Sequence, residues 1–149
     1  MMTLHKPALL LLTATTAMIT LASPGCNSKK GDPVVSGTLQ IPAELQSKIS
    51  PSAALYIIAR PAGTQGGPPL AAQRVAQPFH FPVEFKLTQA DSMVADRKFE
   101  GVVAVTARIS QGGSASPAAA GDIEGVSNPT SVEIGSGKPV TIELKQVRP

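Results

Sequence analysis

The stretch Phe79-His80-Phe81-Pro82-Val83-Glu84-Phe85-Lys86-Leu87 alternates without a break. Phe79, Phe81, Val83, Phe85 and Leu87 fall on one side; His80, Pro82, Glu84 and Lys86 fall on the other. Successive side chains of a β-strand point to opposite faces, so strict period two predicts a strand over 79–87 with one face in a core. Proline has no N–H to give to a ladder, so Pro82 marks an edge strand or a strand whose start is unpaired. His80 faces outward, which makes it a surface residue rather than a metal or haem ligand. The four phenylalanines, Phe79, Phe81, Phe85 and Phe99, are the expected aromatic part of the core.

The same pattern recurs on either side. Val35, Gly37, Leu39 and Ile41 alternate with Ser36, Thr38 and Gln40, and Val140, Ile142 and Leu144 alternate with Thr141, Glu143 and Lys145. The runs Ala53 to Ala59 and Val102 to Ala107 are apolar on both faces. They read as central strands, covered on both sides or paired by both neighbours. Shorter candidates are Leu70 to Val75, Gly121 to Val126 and Ser131 to Ile134. Turn residues separate these runs at 60–69, 111–114, 127–129 and 135–139, which accounts for much of the 14 Pro and 13 Gly. Two helical turns are expected, one in Pro42 to Ile49 and one in Thr88 to Ala95, where Thr88 is a candidate cap and Asp91 sits in the first turn. Met93 in the second turn reads as core filling. Short strands at this spacing predict an all-β fold, a sandwich of about seven to eight strands.

The first 25 residues have another composition. His5 and Lys6 precede a run from Ala8 to Leu21 that is apolar apart from its threonines and is shorter than the ~20 residues a bilayer span needs. Residues 1–25 therefore read as a signal peptide. Leu21-Ala22-Ser23-Pro24-Gly25-Cys26 follows, and the single cysteine of the chain after small residues resembles the bacterial lipobox. Lipidation of Cys26 is the expectation, with residues 26–33 as a polar tether and 34–149 as the folded domain. Asn27 stands where an aspartate signals inner-membrane retention in some bacteria, which points to a periplasm-facing protein anchored in the outer membrane.

Composition narrows the chemistry. One cysteine makes no internal disulfide, no CxxC pair and no haem attachment site, and two histidines leave little for a metal. Thirteen basic against ten acidic residues and few aromatics argue against nucleic-acid binding. The acidic residues are scattered singly, and no serine has a visible histidine partner. No cofactor and no enzymatic activity are expected.

Several blocks occur in one order: Tyr56-Ile57-Ile58-Ala59-Arg60, Pro69-Leu70-Ala71-Ala72-Gln73-Arg74, Phe81 to Leu87, Asp91-Ser92-Met93, Ala107-Arg108-Ile109-Ser110 and Ala120-Gly121-Asp122-Ile123-Glu124-Gly125. Their order and spacing resemble the C-terminal periplasmic domain of the cytochrome c biogenesis factor CcmI/CycH, from about Val34 to Val147. The resemblance implies an Ig-like β-sandwich in a protein that helps deliver apocytochrome c to haem ligation, with apocytochrome or the maturation machinery as partner. A second reading is an Ig-like envelope scaffold or interaction module with no cytochrome role. A third is a small-ligand or haem carrier.

Arg60, Arg74 and Arg108 each lie at or near the end of an apolar strand. Clustered guanidiniums recognise carboxylates through paired hydrogen bonds, so the three are candidate binding residues. The structural alternative pairs them with Asp122, Glu124 or Asp91 to hold loops, and Asp122 after Gly121 suits an ion pair or a loop cap. An edge strand also offers an extended client a place to add by β-augmentation.

Overall fold

The computed structural model describes residues 32–64 and 66–149; the expected signal peptide, Cys26 and the expected tether up to residue 31 lie outside the described residues. Among the described residues nine strands follow in chain order: β1 (Val35–Gln40), β2 (Ala54–Pro61), β3 (Ala71–Ala76), β4 (Val83–Leu87), β5 (Val102–Ser110), β6 (Ile123–Asn128), β7 (Val132–Glu133), β8 (Val140–Glu143) and β9 (Gln146–Val147). One helical turn, α1 (Ala43–Gln46), follows β1, and a 3₁₀ turn, Gln89–Asp91, follows β4.

The pairing path β3-β2-β5-β6-β8-β1-β4 folds over on itself into a sandwich. β6 makes the fold possible because it belongs to both layers. Its first four residues pair with β5, from Ile123 opposite Ile109 to Val126 opposite Thr106, and its last two pair with β8, Ser127 opposite Ile142. Where β6 leaves β5, β7 takes its place, with Val132 opposite Val103. β1 and β8 run parallel; the other pairs are antiparallel.

Alternation carries the core. Leu55, Ile57 and Ala59 of β2, Val103, Val105 and Ile109 of β5, and Leu39, Leu87 and Ile142 of the facing layer are all fully buried. The two apolar runs are central by pairing: β2 lies between β3 and β5, and β5 between β2 and β6. Their outward residues Ile58, Ala104 and Thr106 are only half-buried, so apolar character there reflects double pairing rather than a second covering layer.

β4 is an edge strand, paired to β1 alone. It begins at Val83, four residues later than the alternation predicts. The reason lies in its partner: Leu39 opposite Val83 is the last pair, and beyond it the Gln40 carbonyl accepts from Leu144 N on the far side of β1. Phe79 and Phe81 keep the predicted side without a ladder, packing edge to face at 5.8 Å against the core. Of the four phenylalanines, Phe85 and Phe99 are buried and these two are partly so.

The 3₁₀ turn is capped as its residues suggest. Thr88 Oγ1 accepts from Ala90 N and Asp91 Oδ2 accepts from Thr88 N at 2.8 Å, a reciprocal box. Met93 corrects the expectation of core filling: its side chain is 58% exposed. Its backbone N donates to Leu70 O, which straps the segment across the start of β3, while Leu70 and Phe99 fill the core beneath.

Candidate functional site

Register places the polar outer face of the β2–β5 layer. Arg74 of β3 lies opposite Tyr56 of β2, Tyr56 opposite Arg108 of β5, Arg108 opposite Glu124 of β6, and Glu124 opposite Gln146 of β9. Paired residues share a face, so these five form one row across the layer. Arg60 sits four residues along β2 from Tyr56 on the same face, roughly 13 Å away at the rise of a strand. The fold thus brings Arg74 and Arg108 to either side of one tyrosine and leaves Arg60 apart.

Each member of the row is differently held. Tyr56 Oη donates to Gly113 O at 2.7 Å and accepts from Arg74 Nε at 3.3 Å. Arg108 donates through its terminal nitrogen to Ala115 O, and its Nε lies 3.7 Å from Asp122 Oδ2. Glu124 is taken by Arg148, whose Nε lies 3.1 Å from Oε1. Arg148 drew no attention in the sequence because it follows a two-residue strand with no pattern of its own.

Asp122 is fully buried, and its carboxylate faces backbone more than charge. Oδ1 accepts from Gln111 N and Oδ2 from Ala119 N, both at 3.0 Å. The Asp122 backbone returns the contact, its N donating to Ala119 O and its carbonyl accepting from Arg148 N at 2.9 Å. Asp122 therefore closes the 111–121 loop. Gln111 extends the closure to the loop before β2: it accepts from Ser50 N at 2.8 Å and donates to Lys48 O and Gly121 O. Asp91, the other acid considered for these arginines, is engaged in the 3₁₀ cap.

The crossing strand β6 shapes the surface beside the row. From Ile123 to Ser127 it is matched by Val147 back to Ile142, one residue more, so the β8–β9 chain bulges at Leu144–Lys145. Leu144 N goes to Gln40 O and Lys145 N to Glu124 O. Gly125 lies opposite the bulge, where a Cβ would collide with the Glu143 carbonyl; only glycine permits the approach. A groove opens along this line. Among the described residues no three His, Cys, Asp or Glu side chains gather to hold a metal, and no helix is long and apolar enough to cross a membrane.

The strand pattern, the pairing path and the polar row define a β-sandwich domain whose distinctive features lie on its surface. The sequence model of the cytochrome c-type biogenesis protein H Ig-like domain matches residues 35–145, and the chain belongs to that family. No curated protein matches it. Among solved structures it is similar to an alternative pilotin from the type II secretion system of Vibrio cholerae, at 14% identity and a TM-score of 0.42, over 76% of this chain and 96% of that one.

Proposed function

We propose that this chain is a non-catalytic envelope lipoprotein that acts in c-type cytochrome maturation by binding a protein, either apocytochrome or a component of the maturation machinery. The observation that supports it is the family match over nearly the whole folded domain. Site chemistry agrees in kind. Asp122 and Arg108 are engaged in holding a loop, so the most buried acid and its neighbouring base are not poised for proton transfer. What the fold offers a partner is surface: an edge strand, a polar row and a groove. Cys26 carries the anchor in this reading, and the polar residues after it hold the domain off the membrane on the periplasmic side, at the outer membrane.

Deleting the gene and measuring haem-stained c-type cytochromes tests the role; the proposal expects a loss restored by the intact gene. Unchanged cytochrome content would replace it with the Ig-like scaffold reading. Pull-down with apocytochrome and holocytochrome separates the two partners, since only client binding predicts preference for the apo form.

A further inference from the structure

Two hollows adjoin where β6 changes layers. One, of about 270 Å³, lies over β2, β5 and β6 among Ile58, Arg60, Arg108 and Arg148. The other, of about 380 Å³, lies over β6, β8 and the end of β1 among Gln40, Asn128, Thr141 and Glu143. Gly125, Val126 and Gln146 line both, so the two form one groove across β6. Its apolar floor is Ile58, half-buried, and Val126, 51% exposed, set on either side of Thr106 in one cross-strand row of the outer face.

Charge along the groove is uneven. Arg108 is matched by Asp122, Arg148 by Glu124, and Lys145 by Glu143 at 3.0 Å. Arg60 has no ion pair among the described residues. One end thus carries an uncompensated guanidinium beside an apolar floor, the other presents the amides of Gln40 and Asn128, and that of Gln146 lies between. Amides suit a peptide backbone, which needs both donors and acceptors, and a guanidinium suits a carboxylate. An extended segment turns residues i and i+2 to one side, so it can bring an apolar side chain and a carboxylate to the groove together, which a flat lipid surface does not.

We propose that this groove binds an extended polypeptide segment through a side-chain carboxylate held by Arg60 and an apolar side chain two residues away seated on Ile58 and Val126. The proposal rests on the reading of the chain as a protein-binding module and names the chemistry its partner carries. The test is a titration of the isotope-labelled protein with a synthetic peptide repeating Val-Ser-Asp-Ser, which turns valine and aspartate to the same face, its C-terminus amidated so that only side-chain carboxylates are offered. Saturable amide shifts are expected at Thr106, Gly125, Val126 and Gln146. Replacing the aspartates by asparagine, or Arg60→Gln in the protein, should each weaken binding about tenfold, the loss of one charge-assisted hydrogen bond. Arg97→Gln, on the exposed loop before β5 and away from the groove lining, should leave affinity unchanged.

Equal binding of the aspartate and asparagine peptides would overturn the proposal, as would shifts confined to the free edge of β4. Recruitment of the same residues by phosphatidylglycerol vesicles, with no response to peptide, would also overturn it. Cytochrome loss on gene deletion together with failure of the peptide titration would sink the groove proposal and leave the cytochrome role standing.

Discussion

Replacing Asp122 with alanine leaves the backbone N–H groups of Gln111 and Ala119 without their 3.0 Å acceptors and strips Arg108 of its nearest carboxylate. Asp122 is fully buried, but Gln111 is half-buried and Ala119 exposed, so water takes up part of what the two donors lose. A buried donor left unpaired costs about 1–3 kcal/mol, and the two, partly hydrated, together set a loss of roughly 2–4 kcal/mol. For a domain of this size that lowers Tm by roughly 8–16 °C. The ion pair is the smaller part. At 3.7 Å, with Arg108 Nε lacking a hydrogen bond to any acceptor, it is a Coulomb contact rather than a bonded fork. Arg108→Met keeps both backbone bonds to Asp122 and should cost about 1–2 kcal/mol. A cycle of the parent, Asp122→Ala, Arg108→Met and the double variant, each unfolded in urea at one pH and salt concentration, isolates the pair. Its coupling should be about 1 kcal/mol. Coupling above about 2 kcal/mol would refute the argument by making charge, not loop closure, the reason for Asp122. So would a loss below about 1 kcal/mol in Asp122→Ala.

Three further outcomes are expected. Gly125→Ala puts a Cβ into the Glu143 carbonyl and should cost about 1–3 kcal/mol by urea unfolding, with amide shifts spreading to Leu144 and Lys145 as the bulge opens. Thr88→Val removes the acceptor for Ala90 N and should cost about 1 kcal/mol, with amide exchange rising around Gln89 and Asp91 while the β2–β5 layer stays protected. Cys26→Ser should abolish incorporation of labelled palmitate and move the protein from the membrane pellet to the soluble fraction; unchanged partition would remove the lipid anchor.

Eight of the nine strands are legible because each announces itself within its own residues. Val35 to Ile41, Phe79 to Leu87 and Val140 to Leu144 alternate, and a strand with one buried face must alternate whatever its partners are. The cap at Thr88 and Asp91 is legible for the same reason, since its contacts span three residues. β9 was not, because Gln146–Val147 has no periodicity and is a strand only by lying beside Ile123 and Glu124. The true start of β4 was hidden in the length of β1, and the exposure of Met93 in a backbone bond to Leu70.

The candidate site divides along the same line. Residue type and place in the chain marked Arg60, Arg74, Arg108 and Asp122, since guanidiniums near the ends of apolar strands and a lone carboxylate beside a glycine are chemically conspicuous in a chain this poor in charge. Register decided the rest: Arg74 and Arg108 meet Tyr56, Arg60 stands away from them, and Arg148 reaches back to Glu124 across 24 positions. The groove follows from β6 changing layers opposite a bulge. By itself the sequence determined which segments are strands, because alternation is a local consequence of having one wet and one dry face. Only the tertiary structure decided which charges stand together, because strand pairing joins residues far apart in the chain and a shift of one position would turn every one of them to the other side.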